Sequence, residues 1–127
     1  MVTKVVNDAK GLAKAIKDGD NEIIIEGKIG DIVIRIKATG PVAWGVAIGA
    51  IGIAVGALLA TPGTVGTSAI VAAPSFALAV TALGGSSVVA IGAISIAVAA
   101  GGVGVLTSLR NYKVQKLADG KILLKKN

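Results

Sequence analysis

The sequence predicts a membrane protein: a Gly/Ala-rich α-helical transmembrane hairpin inserted into a small α+β cytoplasmic domain formed by both termini. Three observations predict it. From Ala38 to Leu109, 72 consecutive residues include no Asp, Glu, Lys, Arg, His, Asn or Gln. Apolar residues make up 54% of the 127-residue chain and charged residues 16%, against about a quarter in an average soluble domain. The apolar mass is Ala, Val, Ile and Leu with 18 Gly, and Trp44, Phe76 and Tyr112 are the whole aromatic set. Small and β-branched side chains fill a water-facing core poorly, but they let helices approach closely in lipid.

Residues 1–37 read as an α+β segment. Asn7 or Asp8 is placed to cap a helix over about 8–18, with Leu12, Ala13 and Ile16 at helical spacing and Gly19 as its stop. "NEIIIEGKIGDIVIRIK" then reads as two strands, about 22–26 and 31–37. In the second, Ile32, Ile34 and Ile36 alternate with Val33, Arg35 and Lys37.

Residues 38–109 form the uncharged block. Val42–Ala60, bounded by Pro41 and "TPG", and Val88–Leu109 are each long enough to cross a hydrocarbon core of about 30 Å. Between them the apolar segment 69–83, with Pro74 inside, reads as a re-entrant or third helix. The competing reading is a buried helical hairpin of a water-soluble protein. It requires a polar helix face, and no rotation of this block supplies one.

Residues 110–127 are basic, with a net charge of +5 out of +6 for the chain. Asp119-Gly120 between two mixed apolar and basic runs predicts a β-hairpin. Arg35 and Lys37 flank the first span, and Arg110, Lys113 and Lys116 flank the second. Positive flanks on one side imply an even number of crossings with both termini cytoplasmic; three crossings would put the basic tail outside. Trp44 and Tyr112 then fall at the same membrane interface.

Within the spans, Gly45 and Gly49 are four apart, as are Gly52, Gly56 and Ala60; Ala93, Ala97 and Gly101 repeat the spacing. Positions four apart stack on one helix face, so these rows predict close helix packing and association between copies. Two crossings with a short Lys-rich tail, "KLADGKILLKKN", resemble the two-span class of phage holins. The uncharged hairpin is also similar to that of pore-forming colicins and to glycine-zipper pore formers. The resemblance implies a homo-oligomeric, pore-forming or holin-like protein that permeabilises the bacterial inner membrane, in lysis, as a toxin effector or in abortive phage defence.

The alternative is a non-pore membrane scaffold or accessory subunit whose α+β domain docks a cytosolic partner. An enzyme is not expected: without Cys or His, no nucleophile–base pair or common metal-ligand set can be assembled, and no cofactor is implied. The basic tail is explained by attraction to anionic lipid, so no nucleic-acid partner is expected.

Overall fold

A computed structural model describes residues 3–60, 67–72, 75–117 and 120–126. The described residues form seven helices and a four-stranded sheet. In chain order these are β1 (Thr3–Val6), α1 (Ala9–Lys17), β2 (Glu22–Ile25), α2 (Ile29–Ala38), α3 (Pro41–Leu59), α4 (Thr67–Ala72), α5 (Phe76–Ala82), α6 (Ser87–Ala100), α7 (Gly104–Asn111), β3 (Lys113–Lys116) and β4 (Ile122–Lys125).

The sheet has the order β1-β2-β4-β3. β1 and β2 run parallel, joined through α1, and β4 lies antiparallel to both β2 and β3. The two central strands therefore come from opposite ends of the chain. Their alternation places Ile23, Ile25, Ile122 and Leu124 on the face that packs inward, all 3% exposed or less. α1 covers part of that face with Leu12, Ala13, Ala15 and Ile16, and its N-cap Asp8 accepts a 2.6 Å hydrogen bond from the Gly11 amide.

The transmembrane-hairpin fold class is overturned by this architecture, which is a small mixed α+β domain. Among the described residues, only Pro41–Leu59 is long and apolar enough to cross a bilayer as a single helix. The predicted second span, 88–109, is two helices. α6 stops at Gly101, which adopts φ +84° and closes the helix through bonds from the Gly101 and Gly102 amides to Val98 and Ala97. At 14 residues α6 is about 21 Å long, short of a bilayer core.

The missing polar face has a different cause from the predicted one. Val89, Ala90, Ala93, Ile94, Ile96 and Ala97 of α6 are all buried, with α1, α2, α3, α4, α5 and α7 packed around it. A helix that is apolar all round is surrounded by something, and around α6 that something is protein. Gly92 shows how tightly: a Cβ there would lie 2.5 Å from Ile32 Cδ1 and 2.9 Å from Ile32 Cγ2.

Three further expectations fall on these elements. The strand predicted over 31–37 is helix α2. Ile29, Val33 and Ile36 are its buried positions, a helical spacing that the Ile/Val alternation masked. Gly30 lets its first turn approach Ile122, whose Cδ1 would lie 2.9 Å from a Cβ there. The apolar segment 69–83 holds α4 and α5, neither of which has the length of a span, and Pro74 lies outside the described residues. In the C-terminal hairpin, β3 and β4 pair antiparallel, while Asp119 of the predicted turn lies outside the described residues.

Candidate functional site

Two features of the uncharged block stand out once the fold is assembled: an uncovered helix face and a pair of cations at its root.

The face belongs to α3. Pro41 starts the helix at its first position, where the missing N–H costs nothing. Ala47, Ala50, Ile51, Ala54, Val55 and Leu58 are buried against the neighbouring helices, chiefly α5 and α6. The opposite side is uncovered: Val42 is 85% exposed, Ile53 57%, Leu59 47% and Val46 46%. Gly45, Gly49 and Gly56 lie on this exposed side, and a Cβ added at any of them would meet nothing within 4 Å. Gly52 has only Val103 Cγ1, at 4.0 Å, and Ala60 is exposed as the C-cap.

The other predicted packing row is not part of this surface. Ala93 and Ala97 are fully buried within the core, and Gly101 terminates α6. Leu78 of α5, Val71 of α4 and Val88 at the start of α6 are also about half exposed or more, so the uncovered apolar surface extends beyond α3.

The cations tie the two ends of the block together. Lys37, in the last turn of α2, donates from Nζ to the carbonyls of Arg110 (2.7 Å) and Tyr112. Arg110, in the last turn of α7, donates from Nη1 to the carbonyls of Ile36 (2.8 Å) and Thr39 (3.0 Å). Each helix therefore supplies the cation that satisfies the other's orphan C-terminal carbonyls, where positive charge is favoured. The Arg110 guanidinium also sits 4.6 Å from the centroid of the Trp44 ring, in the first turn of α3. Lys37 has its pKa lowered, first by burial and then by the nearby Arg110 charge.

Tyr112 follows directly and is 4% exposed, its hydroxyl donating to the Asp20 carbonyl at 2.8 Å. Burial, and secondarily Asp20, raises its pKa. Of the residues predicted to line a membrane interface, Lys37, Arg110, Tyr112 and Trp44 thus converge. Arg35 is exposed, with its guanidinium directed at Gly84, and Lys113 and Lys116 are exposed on the edge strand β3. Asp20, Ile36 and Thr39 enter the site through backbone carbonyls, which no residue pattern identifies. The readable signal was a basic residue in the last turn of each of two helices.

Among the described residues, no group of three or more His, Cys, Asp or Glu is placed to hold a metal ion. A depression of about 500 Å³ runs along α1 beside Lys10, Lys14 and Lys17, with Asp8 and Asp18 also on its wall.

No curated protein and no solved structure matches the chain. One family model does, over residues 5–126, which takes in β2, β3, β4, the second half of β1 and the whole uncharged block. The chain therefore belongs to the family described as Uncharacterised protein PM1101.

Proposed function

We propose that this is a non-enzymatic, membrane-active protein that self-associates and permeabilises a bilayer, acting at the bacterial inner membrane in the manner of holin-like and glycine-zipper pore formers. One observation carries the reading. The most apolar 18-residue stretch of α3 is only 33% buried. A core helix of this composition would be mostly enclosed, as α6 is; α3 instead offers an uncharged face to whatever covers it.

The glycines on that face support self-association. Each glycine in a helix interior costs about 0.8–1.0 kcal/mol relative to alanine, so Gly45, Gly49, Gly52 and Gly56 together cost about 3–4 kcal/mol. Nothing in the monomer needs them, because a Cβ would fit at every one. A second helix approaching closely in lipid does need them.

Vesicle experiments test the proposal. Purified protein added to vesicles containing phosphatidylglycerol should sediment with them and release an entrapped dye. Gly49→Leu and Gly56→Leu should keep the wild-type far-ultraviolet spectrum while slowing release about tenfold or more. Wild-type protein that stays in the supernatant and releases nothing removes the reading.

Binding without release would favour the scaffold alternative, which has its own support. Val5, Ile24 and Leu123 align across the outer face of the sheet, with Val5 57% exposed. That row is a surface on which a cytosolic partner can dock.

A further inference from the structure

We propose that the outer face of the sheet is an interface between two copies of this chain, paired about a two-fold axis that runs along the strands. This gives to a second copy the apolar row that the scaffold reading gives to a cytosolic partner. It is also a separate surface from the glycine face of α3.

Val6, Ile23, Ile25, Ile122 and Leu124 are buried on the inner side of the sheet, so the alternate residues of the same strands form the outer face. Its middle row is Val5, Ile24, Leu123 and Gln115, opposite one another in register across β1, β2, β4 and β3. Val5 is 57% exposed, and Ile24 and Leu123 are only half-buried.

Charges bracket this row and are divided by strand. Glu22 lies opposite Lys125 in register, and Glu26 pairs with Lys121 at 3.3 Å. Such cross-strand pairs steady the monomer's own sheet, but they leave the apolar row between them uncovered. The order β1-β2-β4-β3 puts the acidic residues of β2 and its end on one side of the midline, and the basic residues of β4 and its start on the other. A patch divided in this way is complementary to a rotated copy of itself, as a two-fold interface requires.

The charges also select the axis. Rotation about an axis along the strands lays β2 of each copy over β4 of the other. Glu22 then faces Lys125, Glu26 faces Lys121, and Ile24 packs on Leu123. Each pair of the monomer becomes half of a ring of four alternating charges. An axis across the strands lays β2 on β2 and β4 on β4, so Glu22 faces Glu26 and Lys121 faces Lys125. Like charges placed face to face oppose that arrangement. Strands about 4.8 Å apart, rising about 3.3 Å per residue, give this four-stranded face roughly 20 Å by 16 Å. That is at the low end for a specific interface, so the dimer is weak and reversible.

Sedimentation equilibrium of the full chain, at protein concentrations from about 10 to 500 µM, suits a contact of that strength. Wild type should dimerise. Glu22→Lys/Glu26→Lys and Lys121→Glu/Lys125→Glu each put like charges face to face and should each weaken dimerisation about tenfold or more. An equimolar mixture of these two variants should recover dimers, as should the fourfold exchange, which also restores the pairs within each sheet.

A second measurement leaves the charges alone. The chain has no cysteine, so Val5→Cys and Gln115→Cys place single thiols at opposite edges of the face. A short bis-maleimide added to their mixture should join one variant to the other faster than either to itself. Wild type that stays monomeric, or Val5→Cys that links chiefly to itself, overturns the proposal. So does a dimer that survives both charge reversals and is lost in Gly49→Leu, which would place self-association on α3. Charge-dependent dimers from a wild type that releases no dye would keep the sheet interface and remove the permeabilising function.

Discussion

Replacing Gly92 with alanine isolates the packing that distinguishes a core helix from an exposed one. The added Cβ would sit 2.5 Å from Ile32 Cδ1, 2.9 Å from Cγ2 and 3.2 Å from Cγ1. Carbon atoms in contact prefer about 3.5–4.0 Å, so two of the three overlaps exceed half an ångström. Ile32 Cδ1 can rotate away, but Cγ2 branches from Cβ and is fixed by the α2 backbone, where β-branched residues have one strongly preferred χ1 rotamer. Relief therefore requires α6 to move from α2.

Overpacking of this kind costs about 1–3 kcal/mol. The helix-propensity gain of Gly→Ala returns about 1 kcal/mol, leaving a net destabilisation of about 0–2 kcal/mol. The same substitution at Gly45, Gly49 or Gly56 meets no neighbour within 4 Å and should instead stabilise by about 0.5–1 kcal/mol. Urea unfolding of the four single variants, with Ile32→Ala and the Gly92→Ala/Ile32→Ala double variant, reads both signs. The double variant should recover part of the Gly92→Ala loss. Gly92→Ala as stabilising as Gly45→Ala, or Gly45→Ala as damaging as Gly92→Ala, would refute the assignment of α6 as enclosed and α3 as open.

Other outcomes follow from single contacts. Asp8→Ala removes the cap of α1 and should cost about 1 kcal/mol in the same assay. Tyr112→Phe deletes the bond to the Asp20 carbonyl and should cost about 0.5–1.5 kcal/mol at neutral pH. Because the folded pKa of Tyr112 lies above its ordinary 10.0, the unfolded chain loses this proton first, so wild-type stability should fall as pH rises above about 10; the Phe variant should lose less. Lys37 works in the opposite direction. Its folded pKa lies below 10.5, so the unfolded chain holds the proton longer, and Lys37→Met should abolish a rise in stability approaching pH 10.5. Urea midpoints measured from pH 8 to 11 separate the two.

The terminal elements were readable where one local signal dominated. Asp8 before Leu12, Ala13 and Ile16 placed α1. "EIII" and "ILLK" read as strands, and they pair as the two central strands of one sheet. α2 was misread because "DIVIRIK" satisfies two periods at once. Its strand-like alternation is real, yet burial follows Ile29, Val33 and Ile36, because the sheet beneath already has its strands and Gly30 lets a helix settle on Ile122.

The Lys37–Arg110 cluster was half legible. Lys37 and Arg110 were picked out as flanking charges, while their true partners are carbonyls of the other helix's last turn. Contacts that join residues more than seventy positions apart through backbone atoms leave no trace in residue type.

The uncharged block divides into two physical situations that composition alone cannot separate. α3 and α6 are equally free of polar faces, but α6 has six helices around it and α3 has neighbours on one side. Glycine placement resolves the difference. On α6, Gly92 is the point where Ile32 of α2 enters, so its missing side chain is used within the molecule. On α3, Gly45, Gly49 and Gly56 face open space while weakening the helix that carries them. A helix-weakening residue repeated along a surface that the monomer leaves bare fits a contact made outside the monomer.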